Sequence, residues 1–147
     1  MGILSDLEAL ISDANDTLGD LNGLIGQLST CTIVNVFGTD EPKDSGIDLS
    51  TNDVVTIRAS GNWGNNPGSQ PFGPDGENGG FYPNSVLPSA QLMELIGKIG
   101  TGGTWFRIGS SKTFTASATG RLYLQGNDAP GGSYNNSGAV TTEVCVE

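Results

Sequence analysis

The chain contains no histidine. That absence removes a histidine general base, a Ser-His-Asp triad and a His-ligated zinc from the chemistry it can carry. Basic residues are also scarce: six Lys and Arg stand against sixteen Asp and Glu, for a net charge of −10. Phosphate backbones are gripped by clustered Lys and Arg, so nucleic acid is not an expected partner, and an anionic membrane surface is a poor one. Cysteine is limited to Cys31 and Cys145, too far apart in sequence to match a zinc spacing. There is no apolar run of bilayer length, which argues against membrane insertion. The opening "MGILSDLEALISD" is acidic and lacks the basic region of a secretory signal. A site of action outside the cell, or on a particle or cell surface, would then be reached by a non-classical route or as part of a virion.

What is present is glycine, 23 in 147 residues, with only 35% apolar side chains. That profile fits a loop-rich β domain better than a helical bundle. The pattern divides the chain in two. Over residues 4–28, Leu4, Leu7, Ile11, Ala14, Leu18, Leu21, Ile25 and Leu28 recur at alternating spacings of three and four, the seam of a coiled coil. A single amphipathic helix folded back on its own domain is the competing reading. Against it stand the length of such a helix, about 37 Å, and Gly19, Gly23 and Gly26. Each of these glycines weakens an isolated helix by about 1 kcal/mol, so it needs something to pack against. Residues 1–30 are therefore expected to form an amphipathic oligomerisation or docking helix, giving a homo-oligomer or a place in a larger assembly. Its charged residues are all acidic, so no salt bridge sets the oligomer number.

From residue 31 the pattern changes to short β-branched or alternating runs: "CTIVNVF", "GIDL", "DVVTIRAS", "LMELIGKIG", "TWFRIG", "KTFTA", "GRLYLQG" and "AVTTEVCVE". Eight such runs separated by Gly, Asn, Pro and Ser predict a mainly β domain over 31–147, an antiparallel sandwich or barrel. "PSAQLMELIGKIG" is ambiguous, since its first half also suits one helical turn. First and last strands of a sandwich often lie side by side, which would bring Cys31 and Cys145 together; two buried free thiols are the alternative.

Two loops ask for an explanation. "NDAPGGSYNNSG", residues 127–138, holds one aspartate and two adjacent asparagines with little bulk. Turns want these residues for backbone reasons, and a site joining metal and sugar would want their oxygens. Residues 61–88 carry Trp63, Phe72, Phe81 and Tyr82 among glycines and prolines; a loop of this length is often functional. Its rings either pin the loop to the sandwich or stack on sugar C–H groups.

The stretches "NDVVTIRASGNW", "FGPDG", "LIGKIG", "GRLYLQGNDAPG" and "NNSG", in this order, make residues 31–146 resemble the bacterial calcium-dependent galactose-binding lectins of the LecA type. The resemblance implies a jelly-roll-like β-sandwich with one Ca2+ at its loop tips that binds sugar hydroxyls directly. By position it implies Asp128 as the carboxylate ligand, Asn135 and Asn136 as side-chain carbonyl ligands, and backbone carbonyls from Gly132 and from Asn66 or Asn65. Asp128, Asn135 and Ala129 would also contact the sugar. Some family members place a histidine and a glutamine on the sugar's hydroxymethyl group; here Tyr82, Phe81 or Asn84 would have to substitute. One aspartate and two amides suit a hard cation whose shell is completed by ligand hydroxyls.

These readings converge on a calcium-dependent carbohydrate-binding module, displayed in several copies by its N-terminal helix, with galactose-type or other surface glycans as partners. The alternative is a structural subunit of a virion or extracellular filament with a lectin-like fold and little sugar binding. An enzyme is not expected, since the carboxylates of "GTDEPKDSGID" and its neighbours read as solvated turns with no fixed pair for glycoside hydrolysis.

Overall fold

The computed structural model describes Ile11, residues 14–16 and residues 30–147. Ile11 and residues 14–16 are helical and exposed; the rest of the predicted seam over 4–28 lies outside the described residues. The β domain occupies Cys31–Val146. Its strands are β1 (Thr30–Phe37), β2 (Lys43–Leu49), β3 (Val54–Gly64), β4 (Leu95–Ile99), β5 (Phe106–Arg107), β6 (Ser111–Thr115), β7 (Gly120–Gly126) and β8 (Ser137–Val146). They form two four-stranded sheets, ordered β1-β8-β3-β6 and β2-β7-β4-β5. This is the antiparallel sandwich expected from the alternating runs.

The longest ladder is β3 against β8, in register from Val55 opposite Val146 to Gly64 opposite Ser137. Alternate residues point inward because the side-chain period of a strand is two. Val55 and Ile57 of β3, Val140 and Val144 of β8, and Leu122 and Leu124 of β7 are thus fully buried. Each such side chain contributes about 1.5–3 kcal/mol of burial. Thr142 takes an inward position between the two valines of β8. Its hydroxyl avoids a desolvation penalty by donating to the carbonyl of Val34 at 2.7 Å.

At the end of β3, Trp63 is completely buried and its indole N–H donates to the carbonyl of Met93 at 2.7 Å. Gly126 lies beneath the ring, where a Cβ would approach to 3.3 Å of the indole and 3.0 Å of the Met93 methyl. Met93 settles the ambiguous stretch. Its φ of 58° is left-handed, so no helical turn forms there and β4 begins two residues later. The conformation is held from both sides, since the Met93 N–H donates to the carbonyl of Asn127 at 2.7 Å.

Cys31 of β1 and Cys145 of β8 are joined by a disulfide, with Cα atoms 4.0 Å apart and 114 residues between them in sequence. Closing so long a loop is worth about 4–5 kcal/mol in the chain-entropy account. Among the described residues no helix is long and apolar enough to cross a membrane.

Candidate functional site

The long loop after β3 is ordered by its own chemistry. Pro67 and Gly68 occupy the centre of a turn closed by a hydrogen bond from the Ser69 N–H to the Asn66 carbonyl at 3.4 Å. Gly68 has φ 74°, as the third position of a type II turn requires. The chain then runs back so that Trp63 and Phe72 exchange backbone hydrogen bonds at 2.8 and 3.0 Å. Trp63 and Phe72, packed against the core, are the rings that pin the loop. Phe81 and Tyr82 are not; they remain 50% and 44% exposed.

Farther along, the loop is fastened to the end of β7. The buried side-chain amide of Asn127 bonds to the backbone of Leu87, Ala90 and Gln91, and the Val86 N–H donates to the carbonyl of Asp128 at 2.9 Å. Between the two loops opens a cleft of about 330 Å³ lined by Asn65, Tyr82, Asn84, Ser85, Leu92, Asp128 and Ala129. That is the small end of the ~300–1,000 Å³ typical of small-molecule sites. Tyr82 donates its hydroxyl to Glu77 at 2.8 Å. This bond, and then the carboxylate's charge, raises the phenol above its usual range.

The 127–138 loop closes tightly around Gly132. A Cβ there would stand 3.0 Å from the Ala129 carbonyl and 3.4 Å from Oδ1 of Asp128, so a side chain would crowd the carboxylate. Asp128 accepts through Oδ1 from the Ala129 N–H at 2.7 Å. A one-turn 3-10 helix, Ser133–Asn135, follows, and the Gly131 N–H donates to Glu41. Asn136 is buried, and its amide nitrogen donates to the Gly38 carbonyl at 2.9 Å, with Sδ of Met93 at 3.5 Å. Its carbonyl oxygen Oδ1 has no hydrogen-bond partner, and neither has the hydroxyl of buried Ser133. An unpaired buried acceptor costs about 1–3 kcal/mol.

Asp128, Gly132, Asn135 and Asn136 share this loop by sequence; of the expected site residues the structure places Asp128, Ala129 and Tyr82 on the cleft wall, and Gly132, Asn135 and Asn136 do not line it. Asn66 does not line the cleft. Its carbonyl already closes the Pro67–Gly68 turn and lies 2.8 Å from the hydroxyl of Ser137, while its neighbour Asn65 forms part of the wall. Phe81 is not on the wall either; its ring lies 5.7 Å from the guanidinium of Arg107. Ser85 and Leu92 are wall residues that carried no signal in the sequence. The donor set of the loop, one carboxylate with amide and backbone oxygens, suits a hard divalent cation.

Two other places fit less well. Among the described residues, the one cluster of Cys, Asp or Glu close enough to share a metal is Cys31, Glu143 and Cys145, and its sulfurs are bonded to each other. A larger cavity of about 590 Å³ opens between edge strands β1 and β2 beside Ile33, Phe37 and Arg121. There the charge of Arg121 is already matched by Asp44 and Asp48, at 3.0 and 2.7 Å.

No protein-family model matches the chain, and no curated protein matches it. Among solved structures it is similar to the EclA N-terminal domain, a PllA-like lectin, with a TM-score of 0.61 and 23% sequence identity. The match covers 78% of this chain and 95% of that one. The β domain of this chain has a lectin-like sandwich fold.

Proposed function

We propose that this chain is a calcium-dependent carbohydrate-binding module whose sugar sits in the cleft beside Asp128. One observation carries the reading: the buried carbonyl oxygen of Asn136 has no partner, in the same loop as the Asp128 carboxylate. An acceptor left in that state is explained by a cation that needs oxygen ligands. Asp128, Asn135, Asn136 and the Gly132 carbonyl are the residues that would hold it. Bound calcium would offer open coordination positions to the hydroxyls of a galactose-type sugar. The chain's own residues do the rest: Tyr82, Asn84 and Asn65 offer polar groups around the cleft, and Leu92 and Ala129 supply apolar contact.

The similar solved structure is a lectin by name, which supports the carbohydrate-binding reading through the shared fold. Glycoside hydrolysis needs a pair of carboxylates, and Asp128 is the one carboxylate on the cleft wall among the described residues, which supports binding rather than cleavage. Several heads gathered through residues 4–28 would raise a weak single-site affinity by ~10²–10⁴.

The test is a calorimetric calcium titration into chelator-stripped protein, with and without galactose, repeated with Asp128→Ala. Calcium heat that disappears in the variant is expected. No calcium heat under either condition would sink the proposal and leave the loop as a turn.

A further inference from the structure

A second cleft, of about 500 Å³, has on its wall Arg107, whose guanidinium lies 5.7 Å from the Phe81 ring. The wall also includes Asp75, Gln91, Glu94 and Lys112. Two of the six basic residues of a chain with net charge −10 are gathered there.

The acidic groups of this cleft are already satisfied from within. Glu94, buried on β4's approach, accepts from Nε and Nη2 of Arg107 at 2.8 and 2.9 Å and from the Gln91 N–H at 3.0 Å. Asp75 accepts the N–H and hydroxyl of Ser110 at 2.7 and 3.1 Å. The cations are not. A guanidinium has five N–H donors, and Glu94 takes two of those on Arg107, whose side chain is 48% exposed. The opposite edge, Nη1 with the second N–H of Nη2, keeps the fork geometry that matches a carboxylate. Because Glu94 is only 4% exposed and grips two nitrogens, the plane of that fork is fixed before any ligand arrives. The ammonium of Lys112, whose backbone pairs with β3, has no hydrogen-bond or ion-pair partner among the described residues.

Phe81 connects this cleft to the first. It bridges Gln91 through the backbone, its half-exposed ring lies against Arg107, and the next residue, Tyr82, lines the Asp128 cleft. A glycan that continued from a sugar beside Asp128 past Tyr82 and the Phe81 ring would meet the guanidinium of Arg107, 5.7 Å from that ring.

We infer that the Arg107–Lys112 cleft is a second subsite that takes the carboxylate of a uronic-acid residue linked to the sugar bound beside Asp128. This rests on the carbohydrate-binding reading of the first cleft and adds the class of glycan: acidic, and at least two residues long. An exposed, partly preorganised charge contact gives a preference of about fivefold at low salt, shrinking as salt is raised.

The experiment is calorimetry in calcium with two disaccharides, galactose linked to glucuronate and galactose linked to glucose. Tighter binding of the glucuronate compound by about fivefold is expected, falling toward equality in Arg107→Gln and in Lys112→Gln. Arg107→Gln strips buried Glu94 of its partner and can fail to fold, so Lys112→Gln is the variant that decides in that case. Equal affinity of wild type for both compounds overturns the subsite and leaves the Asp128 cleft standing. A preference that survives both substitutions also overturns it. Binding of neither compound overturns both readings together.

Discussion

Asn127 and Leu87 exchange two hydrogen bonds, each of 2.9 Å: the Leu87 N–H donates to Oδ1 of Asn127, and Nδ2 of Asn127 donates to the Leu87 carbonyl. A side-chain amide here does what a strand would otherwise do, pairing with the backbone of a segment 40 residues away. The residue that follows is Asp128, so this pair sets the distance between the two walls of the candidate site.

Replacing Asn127 by Leu leaves a buried N–H and three carbonyls without that partner. A loss of about 2–4 kcal/mol in denaturant unfolding is expected, since each orphaned buried group costs ~1–3 kcal/mol and some recruit water. Asn127→Asp should do worse than its size suggests, because it removes the donors and adds a buried charge. An unfolding midpoint equal to wild type for both variants would show that the loops hold each other by other means.

Removing the Cys31–Cys145 bridge should lower stability by about 4 kcal/mol, chiefly by freeing the unfolded chain. Cys31→Ser and Cys145→Ser should each show the loss, and the double variant should add little to either. Three urea curves decide this; additive losses would point to a packing role for the sulfurs instead.

Tyr82 gives a prediction at alkaline pH. Its phenol is raised above 10.0 by the hydrogen bond to Glu77 and then by that carboxylate's charge. A folded pKa above the unfolded one means the contribution is fully present below pH 10.0 and is lost as pH rises through the higher folded value. Difference absorbance of phenolate should show one late-titrating tyrosine that moves down in Glu77→Gln.

Asp44 gives the opposite sign. The Gly46 N–H, then Arg121, holds its carboxyl below 3.8. A depressed folded pKa contributes above pH 3.8 and is lost as pH falls through the lower folded value. Unfolding scans below that pH should therefore depend less steeply on pH in Asp44→Asn than in wild type. The group is fully exposed, so the difference should be small and should shrink in salt.

Much of the sandwich was legible because its strands alternate. "VVTIRAS" and "AVTTEVCV" write the period-two pattern of β3 and β8 openly, and the neighbouring of first and last strands followed from their place in the chain. The segment before β4 was not legible, since a left-handed methionine has no sequence signature and owes its conformation to Trp63 and Asn127. The loop at 127–138 could be picked out by its oxygen-bearing residues. Its clamp could not, because the partners of Asn127 are backbone groups whose identity leaves no trace in composition. The Glu94–Arg107 pair was hidden for a related reason: a spacing of 13 residues means nothing until β4 and β5 lie side by side. Aromatic composition alone could not separate Trp63 and Phe72, which anchor, from Phe81 and Tyr82, which are presented.

The bridge between Cys31 and Cys145 also fixes how the β domain carries load. At one end of the β1–β8 pair the Gly38 N–H meets the carbonyl of Gly138, where the 127–138 loop enters β8; at the other end stands the disulfide. A pull entering the chain at Thr30 passes within one residue to a covalent link with β8, and from Cys145 back along the β8 backbone to the loop that holds Asp128. The edge strand β1 cannot be peeled away from its free end, because that end is bolted. Tension between a tether at residue 30 and a ligand beside Asp128 is thus carried by covalent bonds, through the disulfide and the backbone of β8, and need not pass through the hydrogen bonds of any ladder.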